Sequence, residues 1–209
     1  MSQLPSLILI SPPTFKTGEV DLLCKLFDAG LKRFHLRKPN CKSEKLREYL
    51  KQVPRKYLPN IVIHRYSELV KEFDLGGYHY RSDEPSSEIF STSSRSYHNL
   101  NELKDMSEKL DYIFFGPVYE SISKSGYKPK VPLSEIFSLF KSNEFQESPN
   151  KPKIYALGGV RRKKLKRLSE VGFDGVALLG SVWGSRDPVK AFKEFVNFEV
   201  GNSVFLNQL

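Results

Sequence analysis

A (β/α)8 barrel, eight parallel strands closed into a ring with helices outside, is the fold class this sequence predicts. Three observations predict it. Short apolar runs alternate with amphipathic helical patterns along the chain, giving eight strand–helix units. The first strand runs into Ser11-Pro12-Pro13 rather than the glycine-rich turn that a doubly wound open sheet wants there. The last two strands both stop at small residues, Gly158-Gly159 and Gly180-Ser181, where a barrel of this type carries its usual phosphate cup. At 209 residues the chain is below the roughly 250 typical of the fold. One compact domain is therefore expected over residues 1–200, with a tail at 201–209 and one helix reduced or missing.

Taken in order, Leu7 to Ile10 is the first strand, and Val20, Leu23, Cys24 and Phe27 recur at helical spacing behind it until Gly30. Arg33 to Lys38 is the second strand, stopped at Pro39, and Leu46, Tyr49, Leu50 and Val53 mark the second helix. Ile61 to His64 is the third strand, with Leu69, Val70 and Phe73 on the short helix after it. Gly77 to Tyr80 is the fourth. A fifth strand is expected near Ile89 to Ser93, after too few residues for a helical crossover. Leu100, Leu103, Met106 and Leu110 then mark a helix, and Tyr112 to Phe115 the sixth strand. Leu133, Ile136, Phe137 and Phe140 form the next helix, followed by strands over 154–157 and 176–179 and a last helix opened by Pro188.

Lys plus Arg exceed Asp plus Glu by 33 to 24, a formal charge of +9. Such an excess suits anionic partners. The dense run from Arg161 to Arg167 lies on a helix whose apolar face is intact, so it reads as a solvated face rather than a nucleic-acid stripe. No segment has the length or apolarity of a membrane span, and the N-terminus lacks a secretory pattern. Cys24 and Cys41 have neither disulfide-framework nor metal spacing. The expectation is a cytoplasmic protein that binds phosphorylated small molecules, with no nucleic acid or membrane partner; a homo-oligomer is compatible with it.

In such a barrel the chemistry belongs at the carboxyl ends of the strands. His35, His64, His79 and His98 all fall near that rim, and strand periodicity puts His35 and Arg37 on one face. At least one histidine is expected in the ligand pocket. The loop from Gly116 to Tyr127 carries hydroxyls and a lysine over a span longer than a turn needs. Hydroxyls, an ammonium and Arg37 across the mouth suit a second anion site, facing the glycine cup.

Several of these segments resemble the thiamine phosphate synthase/TenI family, in motif order over nearly the whole chain. His35-Leu36-Arg37-Lys38-Pro39 corresponds to the family's Gln-Leu-Arg-Glu-Lys. The stretch Gly116-Pro117-Val118-Tyr119-Glu120-Ser121-Ile122-Ser123-Lys124 corresponds to Gly-Pro-Ile-Phe-x-Thr-x-Thr-Lys, the most specific match. Ala156-Leu157-Gly158-Gly159-Val160 corresponds to Ala-Ile-Gly-Gly-Ile, Gly77-Tyr78-His79 to Gly-Val-His, and Arg95-Ser96-Tyr97-His98 to the serine motif after the fifth strand. The resemblance implies a transferase that joins a pyrimidine methyl diphosphate to a thiazole phosphate. It implies that Arg37, Ser121, Ser123 and Lys124 hold the diphosphate, Ser96 and His79 the pyrimidine, and Gly158, Gly159, Gly180 and Ser181 the thiazole phosphate. His35 and Lys38 complete the substrate-binding set on the second strand.

The family's metal motif differs here. Where the synthase pattern places Asn-Asp, the Asp being a Mg2+ ligand, this chain has His64-Arg65, with Arg65 a candidate to replace the ion's charge. Asp83 and Glu84 are the remaining candidate Mg2+ ligands. The TenI branch is metal-independent and places a histidine where this chain has Pro117; a tautomerase would then use His35, His64 or His98 as its acid–base group. A non-catalytic phosphate-binding relative is the third reading.

Overall fold

The computed structural model describes residues 4–86, 88–120, 128–148, 151–202 and 204–205. Eight strands close a barrel: β1 (Leu7–Ile10), β2 (Phe34–Leu36), β3 (Ile61–Ile63), β4 (Gly77–Tyr80), β5 (Ser93–Tyr97), β6 (Tyr112–Phe115), β7 (Lys153–Leu157) and β8 (Gly175–Leu178). Neighbours in sequence are neighbours in space, every pair is parallel, and β8 returns to β1. The predicted (β/α)8 TIM barrel is the observed fold, so all eight carboxyl ends open on one face.

Around it lie α1 (Glu19–Asp28), α2 (Ser43–Gln52), α3 (Glu68–Phe73), α4 (Leu100–Lys104), α5 (Leu133–Lys141), α6 (Asn143–Gln146), α7 (Leu165–Val171), α8 (Gly180–Trp183) and α9 (Pro188–Gly201). Among the described residues no helix joins β4 to β5, as the spacing predicted. Local signals set the ends: Asn99 and Glu102 form a reciprocal cap on α4, and Asp187 accepts the Lys190 N–H just before Pro188 opens α9. Val204 and Phe205 pack into the outer core beyond α9.

Strand alternation divides the interior in two. Leu7, Leu9, Phe34, Leu36, Ile61 and Ile63 point outward into the large core beneath the helices, whereas Ile8, Ile10, Tyr112, Phe114, Tyr155 and Ala177 fill the lumen. The fifth strand is displaced from its expected place near Ile89 to Ser93: it runs Ser93–Tyr97, and Ile89 is 93% exposed. Apolar content was the wrong guide there, because the lumen-facing residues of β5 are Ser94 and Ser96. On its outer row, Arg95 is buried by donating to the carbonyls of Arg81, Ser82 and Glu84 and pairing with Glu108. The helix expected to reach Leu110 stops at Lys104.

Lys38, expected to touch substrate, is instead a structural lock. Its ammonium lies between both oxygens of Glu19, at 2.7 and 2.8 Å, and the carbonyls of Pro12 and Thr14, each at 2.9 Å. Both side chains are almost wholly buried. Glu19 also accepts the Lys16 N–H at 3.0 Å. This pair ties the end of β2 to the loop after β1 and to the first turn of α1, and a donor so fully engaged has nothing left for a ligand. Removing one partner of a buried ion pair strands the other charge, at about 3–5 kcal/mol. Lys38→Ala is therefore expected to lose that much stability in urea unfolding, and Lys38→Met combined with Glu19→Leu distinctly less; equal losses would show that the stranded carboxylate is not the cause.

Candidate active site

The lumen is apolar on one side and polar on the other. Its polar side comes from five neighbouring strands, β2 to β6. The registers pair His35 with Val62 and Ile63 with Tyr78, and the next step in phase sets His64, at the end of β3, beside His79. His79 in turn pairs with Ser94, and Ser94 with Tyr112. The rings of His64 and His79 are 4.1 Å apart between centroids, and His35 meets both edge-on at 5.1 and 5.4 Å.

Each imidazole is engaged. His35 Nδ1 is 3.0 Å from His64 Nε2, and His35 Nε2 is 2.7 Å from the Tyr112 hydroxyl. His79 Nδ1 meets Ser94 Oγ at 2.8 Å and its Nε2 meets Ser96 Oγ at 3.0 Å. Burial pushes all three histidines well below their ordinary range. For His79, to about 3, Arg37 and Arg95 add to it; for His64, His79, His35 and Arg37 do; for His35, His79 and Arg33 do. The cluster is thus neutral, and Tyr112, whose hydroxyl burial pushes up to about 12, stays protonated. Ser94 and Tyr112 were not singled out in the sequence, although β5's alternation places Ser94 and Ser96 on the same face as His79.

Arg37 follows β2 at the mouth. It is exposed, and its guanidinium has no hydrogen-bond or ion-pair partner among the described residues. Only its backbone is fixed, by Ser11 Oγ at 2.9 and 3.0 Å. Arg65, partly buried, donates to the Pro39 carbonyl. His98 stands apart from the other three: its Nδ1–H donates to the Gly116 carbonyl at 2.6 Å, so it braces the end of β6 rather than joining the cluster.

On the far side, Gly158 and Gly159 have φ of 92° and 64°. A Cβ on Gly158 would come within 2.7 Å of Pro117, and one on Gly159 within 2.3 Å of the Glu120 carbonyl. These glycines are thus needed for the β7 turn to lie against the β6 loop. They also leave N–H groups to spare. Those of Gly159 and Val160, and of Gly180 and Ser181 where α8 begins, donate to no group among the described residues. The expected Gly-Ser turn is in fact this one-turn helix, held to β1 by the Trp183 Nε1–H bond to the Ile10 carbonyl at 2.8 Å.

The family model described as thiamine monophosphate synthase matches residues 7–182. The chain belongs to that family. It is 25% identical over 197 residues to the thiamine-phosphate synthase of Streptococcus suis, covering 85% of this chain and 81% of that one. To the synthase of Staphylococcus epidermidis it is 26% identical over 191 residues, covering 85% and 87%. Among solved structures, the thiamine phosphate pyrophosphorylase of Bacteroides thetaiotaomicron superposes with a TM-score of 0.77 at 27% identity, covering 94% of this chain and 98% of the other.

Among the described residues the family's Mg2+ motif finds no counterpart in the geometry. Asp83 is exposed and held by both arms of Arg81, at 3.0 and 2.9 Å, and Glu84 accepts the Tyr78 hydroxyl at 2.9 Å and the Arg81 N–H at 3.1 Å. Among the described residues, the one grouping of three metal-capable side chains is His35, His64 and His79, which contains no carboxylate. Mg2+ wants hard oxygen ligands, so these residues do not fit it. Ser121, Ser123 and Lys124, expected on the diphosphate, lie outside the described residues.

A histidine held neutral in the folded state by a lowered pKa binds fewer protons than in the unfolded chain, so stability falls as pH drops through the unfolded value. For His79 the window runs from 6.5 down to about 3. Wild-type protein in EDTA-containing buffer is expected to lose on the order of 1–2 kcal/mol from this residue between pH 6.5 and 5, with the melting temperature falling accordingly. His79→Gln should show a shallower fall; parallel curves would mean that His79 is not neutral in the fold.

Proposed function

We propose that this chain is a transferase of thiamine biosynthesis that joins hydroxymethylpyrimidine diphosphate to a thiazole phosphate and releases diphosphate. The observation that carries the reading is the mouth itself. Arg37, whose guanidinium has no partner among the described residues, stands beside neutral imidazoles at the carboxyl end of β2, while N–H groups without a partner among the described residues lie in the turns after β7 and β8 at the same end of the barrel. Two anion-binding edges at one opening match a reaction with a diphosphate on one substrate and a phosphate on the other.

In this reading Arg37 grips the diphosphate, with Ser121, Ser123 and Lys124 completing that side and Arg65 adding charge. The C–O bond to the pyrimidine methylene breaks with its electron pair leaving on diphosphate, and the thiazole nitrogen donates its lone pair to form the new C–N bond. Charge on the leaving group grows through the transition state, so fixed donors already aimed at it accelerate the step. In this reading Ser96 and His79, which hydrogen-bond to each other at 3.0 Å, face the pyrimidine. The turns at Gly158-Gly159 and Gly180-Ser181 hold the thiazole phosphate and thereby set the nucleophile's position. The reading routes no step through Mg2+.

The relatives named above are synthases, which favours the transferase over a tautomerase or a non-catalytic binder. The tautomerase reading is also weakened, since burial lowers the basicity of His35 and His64 and His98 Nδ1 is engaged by the Gly116 carbonyl. Incubation with both precursors, in Mg2+, in Zn2+ and in chelator, is expected to yield thiamine phosphate in at least one condition. Arg37→Ala should lower kcat/KM by about 100-fold or more. No product under any of the three conditions would end the proposal.

A further inference from the structure

We propose that His35, His64 and His79 form a binding site for a divalent transition-metal ion of the Zn2+ class, open on its fourth side toward the mouth of the barrel. The three rings come from consecutive strands, and one nitrogen of each lies within 4.8 Å of the others. A tetrahedral ion with Zn–N bonds of 2.0–2.1 Å needs its nitrogens about 3.4 Å apart. His35 Nδ1 and His64 Nε2 stand at 3.0 Å, so one edge of the tetrahedron needs only slight opening, and His79 must move in by a rotation of its ring.

The surroundings of the rings favour this use. A metal-bound imidazole donates its other N–H to a fixed acceptor, and two of the three have one in place. Tyr112 Oη receives His35 Nε2–H, and Ser94 Oγ receives His79 Nδ1–H, leaving His35 Nδ1 and His79 Nε2 for the ion. The Ser96 hydroxyl now at His79 Nε2 is the partner that must yield. His64, at the rim, moves its proton from Nε2 to Nδ1, a tautomer shift with no net loss of charge. Three nitrogens with no carboxylate suit Zn2+, Co2+ or Ni2+ and disfavour Mg2+.

One feature opposes the ion: Arg33, Arg37 and Arg95 all bear on these rings with positive charge, and among the described residues no carboxylate joins the cluster to offset it. An anionic fourth ligand removes that objection. A phosphate or diphosphate oxygen on the open side would bind the ion and lie close to Arg37 at once, so metal and anion should each tighten the other's binding. The site goes beyond the proposed transfer reaction, and its test reads metal rather than turnover.

Chelator-stripped protein is titrated with Co2+ and, by equilibrium dialysis, with Zn2+, each with and without inorganic diphosphate at fixed free metal. The expected result is one ion per chain, the visible absorption of tetrahedral nitrogen-ligated Co2+, displacement by Zn2+ but not by Mg2+, and higher affinity with diphosphate. His64→Asn and His79→Gln should each weaken binding by about 100-fold or more, while His98→Ala leaves it unchanged. Should either variant fail to fold, wild-type crystals soaked in Zn2+ decide the matter by an anomalous peak between the three rings. Absence of stoichiometric binding with diphosphate present, binding that survives both substitutions, or a peak elsewhere would overturn the proposal and show the cluster to be a hydrogen-bonded core alone.

Discussion

The architecture depends on satisfying a polar group of side chains inside a barrel that would ordinarily be filled with aliphatic ones. Three imidazoles, two serines and a tyrosine occupy the lumen between β2 and β6, and each buried polar atom must find a partner or cost free energy on the order of a hydrogen bond. They do so through one another: His64 to His35 to Tyr112 along one line, and Ser94 to His79 to Ser96 along another. Such a network constrains register, because a one-residue slip of any of these strands would turn its polar residue outward into the apolar shell. The aliphatic and aromatic half, with Ile8, Ile10, Phe114 and Ala177, packs the rest of the lumen.

Most of the scaffold was legible because its strands are apolar on both faces and its helices carry regular stripes. Leu7–Ile10, Ile61–Ile63 and Tyr112–Phe115 are continuous hydrophobic runs, as strands covered on both sides should be. The sequence misled where burial is polar. β5 reads Ser-Ser-Arg-Ser-Tyr, and nothing local announces a strand, because its inward serines answer to a histidine on another strand and its outward arginine to carbonyls 11 to 14 residues earlier. The same limit applied to Lys38. Its position beside Arg37 suggested a ligand contact, whereas its true partner, Glu19, lies at the head of α1, a pairing visible only in three dimensions. The histidines were seen as rim residues, but His35 lies fully buried below the rim, since the strand tilt of a barrel lets a residue two positions lower reach across to its neighbours.

The electrostatics of the mouth follow from the same network. The lumen is neutral, and at its mouth the Arg37 guanidinium has no ion-pair partner among the described residues, whereas Arg95 is paired with Glu108 and Arg33 is engaged at the amino end by the Gly76 carbonyl; low-polarity walls focus the Arg37 charge at the opening. Asp83 and Glu84, the nearby acids that would have cancelled it, are held off by Arg81 and Tyr78, and Arg95 fixes the backbone of their loop. The departure from the family's carboxylate motif is therefore more than a loss of two ligands. In the proposed reaction the anion meets Arg37 at a mouth whose nearby carboxylates are already engaged.

The two anion edges are also not independent parts. Val118 N–H donates to the Leu157 carbonyl at 2.9 Å and Tyr119 N–H to the Gly158 carbonyl at 3.2 Å, so the start of the β6 loop is stitched to the glycine turn after β7. The positive φ angles at Gly158 and Gly159 make that stitching sterically possible, because a side chain at either would collide with Pro117 or with the backbone at Tyr119 and Glu120. A glycine pair chosen only to approach a phosphate would place no such demand on the neighbouring loop. Here one backbone solution serves both: it leaves the Gly159 and Val160 N–H groups without a partner among the described residues and anchors the start of the strand-six loop. Paired backbone thus fixes the start of the β6 loop against the glycine turn, the kind of positioning that the proposed joining of two phosphorylated substrates requires.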